Sequence, residues 1–117
     1  MNGLRERYKK LIADAGLASL PSNKVPEGQT WHITRLAFEG SSVTSGGNTR
    51  ARYYIDGHGD KLYLGEQDAP AADTLYKDPD PIDLLPGESL VLEWDQAQAS
   101  TTLQMQLTGE IIFTQGS

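Results

Sequence analysis

The chain contains no cysteine, so neither a disulfide framework nor thiol chemistry is open to it. Histidine is nearly as scarce, with only His32 and His58 among 117 residues. No apolar run approaches the roughly eighteen residues that a membrane-spanning helix needs. No early apolar run resembles a signal peptide, and the expectation is a soluble protein made in the cytoplasm. The length fits one domain with a real core, not two.

Reactive constellations are equally thin. A cupin-type metal enzyme needs two closely spaced histidines, a glutamate and a later histidine on facing strands, and that set is missing. No nucleophile elbow is present, and Gly46, Gly47, Gly57 and Gly59 flank strand-like segments instead of opening a helix around a phosphate. Asp78, Asp80 and Asp83 are dense in oxygens but lack the glycine and terminal glutamate of a calcium loop. Tyr54, Tyr63 and Tyr76 are the candidate surface aromatics for sugar stacking, whereas Tyr53, Trp31 and Trp94 fall among aliphatic neighbours. The expectation is therefore a protein that is not an enzyme, with no cofactor and no metal.

What the sequence does have is alternation. Leu103, Met105, Leu107, Gly109, Ile111 and Phe113 occupy every second position of Thr101 to Gln115, with Gln104, Gln106, Thr108 and Glu110 between them. Period two over such a length is one long strand, or two collinear ones meeting at a bend near Gly109, with one buried face. A helix would place Gln104 and Gln106 among the apolar residues. Ser89 to Trp94 alternates likewise, with Leu90, Leu92 and Trp94 inward, and Arg50 to Asp56 puts Ala51, Tyr53 and Ile55 on one face. In Trp31-His32-Ile33-Thr34-Arg35-Leu36-Ala37-Phe38 the apolar parity switches, which predicts a bulge near Thr34 or Arg35. Lys61 to Gly65 and Ile82 to Leu85 read as short strands, and Glu66 to Pro81 as a long irregular stretch.

The N-terminal residues read differently. Leu4, Tyr8, Leu11, Ile12 and Ala15 line one face at helical spacing, with Arg5, Glu6, Lys9, Lys10 and Asp14 opposite, and Pro21 stops the pattern. The expected organisation is a helical arm over residues 1–24 and a sandwich domain over 25–117. The fold class is all-β, an antiparallel β-sandwich of jelly-roll type.

Charge divides at the same place. Met1 to Lys24 carries five basic and two acidic side chains (+3), and the remainder five basic and fourteen acidic (−9). An acidic body repels phosphate backbones, so nucleic acid is not an expected partner, nor is a membrane. The basic segment suits an acidic partner, including another copy of the chain.

Four stretches carry a resemblance: VPEGQTWHITRLAFEG, RARYYIDG, LLPGESLVLEW and LQMQLTGEIIF. Their Pro-Gly turns leading into aromatic-bearing strands, and a final strand with a Thr-Gly pair, resemble the small β-sandwich proteins of tailed-phage virions over residues 25–115. The resemblance implies a capsid decoration, or cement, protein, with neck or tail subunits as the alternative. It also implies a homotrimer on the capsid surface, bound to the major capsid protein through the arm residues Leu4, Arg5, Tyr8, Lys9, Leu11 and Ile12. A carbohydrate-binding β-sandwich is the reading from a different class.

Overall fold

The computed structural model describes residues 2–12, 16–41, 50–57, 59, 61–68, 75–78, 80–97 and 100–113. They form nine strands: β1 (Asn2–Ile12), β2 (Gly16–Pro21), β3 (Gln29–Gly40), β4 (Arg50–Asp56), β5 (Leu62–Asp68), β6 (Tyr76–Asp78), β7 (Ile82–Leu84), β8 (Ser89–Ala97) and β9 (Thr101–Phe113). Sheet one runs β1-β9-β3 with β6 and β7 both on the outer edge of β3, and sheet two runs β2-β8-β4-β5. Every pairing is antiparallel. With β6 and β7 counted as one interrupted strand, this is the eight-strand order of a jelly roll.

The N-terminal helix expected over residues 2–20 is not formed. β1 pairs with β9 from Asn2↔Ile111 to Ile12↔Thr101, and β2 pairs with β8. Leu4, Tyr8 and Ile12 stand four apart, a spacing that fits one face of a helix and equally one face of a strand. The intervening residues decide. Arg5, Arg7 and Lys9 alternate, so a strand turns all three to solvent while Leu4 and Ile12 go into the core. Leu11 is the cost, left 64% exposed. A helix this short is marginal alone, whereas the β1 ladder covers an edge of β9 that would otherwise stand open. Residues 2–21 are thus integral strands of the sandwich and no separate arm. Asp14 and Ala15 lie outside the described residues.

The expected bulge lies between Ile33 and Arg35. It keeps Trp31, Ile33, Leu36 and Phe38 all buried and sends Arg35 outward. The extra residue, Thr34, donates its hydroxyl to the Thr108 carbonyl at 3.2 Å. Part of the stretch expected to be irregular is ordered: β5 reaches Asp68, where Glu66 pairs across to Arg50 at 3.8 Å, and β6 brings Tyr76 onto Phe38.

The core lies between the sheets, with Leu36, Leu84, Leu90, Leu92, Trp94, Leu103, Met105 and Leu107 fully buried. Full burial of each aliphatic member contributes about 1.5–3 kcal/mol. One polar tether crosses this interior: Tyr53 of β4 donates its hydroxyl to the Asp78 carboxylate on β6. The ring of Tyr53 fills the space beside Gly65, where any Cβ would meet it.

Burial first, then the hydrogen bond to Asp78, raise the Tyr53 phenol well above its usual range. A folded-state pKa above the unfolded value of about 10 stabilises fully below pH 10 and is lost as pH rises. Wild-type unfolding free energy is therefore expected to fall from about pH 10 upward. Tyr53→Phe should lose about 1–2 kcal/mol at neutral pH and show a shallower alkaline fall. Urea denaturation between pH 8 and 11 measures both, and identical alkaline slopes in the two proteins would remove Tyr53 as the source.

Candidate functional site

The two outer faces differ in charge, and the difference follows from strand parity. On sheet two, Arg52 and Tyr54 of β4, Tyr63 of β5 and Glu93 of β8 share the outer face. Glu93 is only 3% exposed, yet it accepts hydrogen bonds from Arg52 Nη2 at 2.8 Å, Lys61 Nζ at 3.2 Å and the Tyr63 hydroxyl at 3.3 Å. Arg52 also lies over the Tyr63 ring and Lys61 over the Tyr54 ring, each 5.0 Å from the centroid. The Glu93 bond holds the Lys61 ammonium above its usual pKa. This face neutralises itself.

Sheet one does not. The odd residues of β1 project outward in rows continued by β9 and β3: Arg5–Thr108–Arg35, Arg7–Gln106–Ala37 and Lys9–Gln104–Glu39. Lys77 extends the second row from β6. Arg5, Arg7, Lys9, Arg35 and Lys77 are all exposed, and none forms a salt bridge with another described residue. Uncharged Thr102, Gln104, Gln106 and Thr108 lie between them, and Glu39, Glu110 and Asp83 share the same outer face, with no salt bridge to these five cations among the described residues. A shallow cavity of about 260 Å³ opens among Arg5, Glu6, Arg7, Arg35, Gln106 and Thr108. In a chain of net charge −6, such a face attracts a local anionic group.

The residues expected to dock are divided by this arrangement. Arg5, Lys9 and Leu11 face outward. Leu4 and Ile12 belong to the chain's own core, and Tyr8 packs against it. Burial raises the Tyr8 phenol pKa, and its oxygen accepts the Asn23 amide at 3.2 Å. The helical reading leaves out Arg7, and Arg35, in a stretch read as a strand, is not among the expected docking residues, although the alternation at residues 5, 7 and 9 and the parity switch at Thr34 mark both.

The other candidate chemistry is already engaged. His32 Nδ1 lies 2.5 Å from Asp83 Oδ1 across β3 and β7. Asp78 accepts from Tyr53 and from the Asp80 amide. Among the described residues no cluster of three or more acidic or histidine side chains is placed to hold a metal. His58 lies outside the described residues. Tyr54, expected at the surface, is 7% exposed and tilted 60° to Tyr63, while Tyr76 stacks on Phe38 beside the other sheet. The three tyrosines do not form one flat platform.

No protein-family model and no curated protein matches the chain. Among solved structures it is similar to that of FLHE, at 10% identity and TM-score 0.47, covering 94% of this chain and 99% of that one. It is similar to murine APRIL at 10% identity and TM-score 0.48, covering 89% and 99%. A CBM4 structure follows at 9% identity and TM-score 0.42, covering 92% and 82%. Identity at this level speaks only to the arrangement of strands, which the two antiparallel sheets already define.

Proposed function

We propose that the chain is a non-enzymatic structural subunit of a phage virion, docking on the outer surface of the head through the outer face of sheet one. The observation that carries this reading is the set of exposed cations, Arg5, Arg7, Lys9 and Arg35, held without partners among the described residues while the opposite sheet neutralises its own charge. Rigid strands fix the spacing of these side chains, so no backbone ordering is needed on contact, although each long side chain still loses rotamer freedom. Charge complementarity of this kind sets orientation and association rate. The trimer implied by the virion resemblance would sum several weak contacts into one stable attachment. Bridging capsid subunits in this way stabilises the shell by mass action.

Co-sedimentation with undecorated heads tests the reading. Arg5→Glu, Arg7→Glu and Lys9→Glu together should weaken binding by on the order of a hundredfold or more, and added salt should weaken wild-type binding. Unchanged affinity in the triple variant would remove this face from the account. Copy number separates the head from the neck alternative, since a head lattice takes many copies and a neck a single ring.

A further inference from the structure

We infer that the cleft over Thr108, between Arg5 and Arg35, receives a single carboxylate presented by the docking partner. The inference rests on the docking reading above and names the chemistry of its central contact. Arg5 on β1 and Arg35 on β3 both stand opposite Thr108, one from each side. Adjacent strands lie about 4.8 Å apart, so the two backbones are roughly 10 Å apart and their long side chains can close on one group between them. Arg7 enters from the next row, opposite Gln106. The third position of that row is Ala37, small and buried. Planar guanidinium forks match a carboxylate through paired hydrogen bonds, and Thr108 and Gln106 add neutral donors beside them.

Placement of Arg35 depends on the bulge. With regular alternation after Ile33, Arg35 would point into the core and Leu36 out to solvent. The extra residue Thr34, bonded to the Thr108 carbonyl, reverses this and turns Arg35 over the strand that carries Thr108. The same irregularity that saves the core therefore builds the cleft.

Glu110, two residues from Thr108 on the same outer face of β9, bears on the choice of anion. It repels a dianion about twice as strongly as a monoanion. The acidic body further disfavours a polyanionic chain. A carboxylate side chain on a protein surface satisfies three arginines and tolerates one glutamate. A phosphate, at two charges, fits less well.

The test uses the full chain in solution and needs no capsid. Backbone and arginine side-chain NMR signals are followed during titration with sodium acetate, then with inorganic phosphate, against sodium chloride at matched ionic strength. Acetate should shift Arg5, Arg7, Arg35, Gln106 and Thr108 together and saturably. Arg35→Gln should weaken this by roughly tenfold and Glu110→Gln should tighten it by about threefold, with thermal stability unchanged in both. Shifts that chloride reproduces, shifts spread evenly along β1, or indifference to Arg35→Gln would overturn the cleft. Tighter binding of phosphate than acetate would overturn the carboxylate assignment. Failure here with intact head binding removes the cleft alone, whereas specific acetate binding without head binding removes the virion reading.

Discussion

Replacing Gly109 with valine is expected to lower the unfolding free energy by about 3 kcal/mol or more, read as a reduced urea midpoint at unchanged slope. A Cβ at this position would lie 1.9 Å from the His32 carbonyl oxygen and 2.9 Å from the Ile33 Cα. Those are backbone atoms of the neighbouring strand, so no rotamer change relieves the overlap. Gly109 pairs with Ile33 on the near side of the Thr34 bulge, where the kinked β3 backbone crowds against β9. Relief requires β3 to move, which disturbs the buried side chains Trp31, Ile33, Leu36 and Phe38 and the aim of Arg35. Even Gly109→Ala meets the same contact. Gly3 is the control, because nothing lies within 4 Å of a Cβ placed there. Gly3→Ala should be neutral or gain about 0.5 kcal/mol by restricting the unfolded chain. Equal tolerance at both positions would show that β3 and β9 do not approach as described.

The bulge itself was legible in the sequence, because Trp31 and Ile33 have odd parity and Leu36 and Phe38 even, and burial of all four admits one simple solution. The long β9 was legible for the same reason. β1 was not, since spacings of four satisfy both periods and the apolar residues alone cannot separate them. The cations at 5, 7 and 9 hint at it, since they fall opposite in parity to Leu4, Tyr8 and Ile12, but Glu6 and Lys10 on the inward parity and Leu11 on the outward one blur the pattern. What settles the matter is tertiary, namely that β9 has an edge to cover. Reading a helix there also removed two strands of the jelly roll, leaving a sandwich with one strand too few in each sheet. The docking face suffered the same way. Helical geometry sets Leu4 and Ile12 on the contact surface and scatters the cations, whereas strand geometry buries the first two and aligns Arg5 and Arg7 with Arg35.

The Glu93 cluster carries the second large effect and also discriminates between the two faces. Stripping water from a carboxylate costs several kcal/mol, offset here by Arg52, Lys61 and Tyr63. Glu93→Leu removes the acceptor and leaves Arg52 with the Asp95 carboxylate 4.0 Å away. Removing one partner of a buried pair costs about 3–5 kcal/mol. The Arg52 side chain is 27% exposed and regains some hydration, so about 2–3 kcal/mol is expected. Adding Arg52→Met should recover most of that loss, since an apolar pair of similar volume needs no compensation. If single and double variants are equally unstable, the penalty comes from packing against Tyr63 instead of from a stranded charge. Head binding by the double variant supplies the further consequence. Sheet two faces away from the proposed interface, so a stable Arg52→Met, Glu93→Leu protein should dock as well as wild type. A folded double variant that no longer docks would move the interface to sheet two.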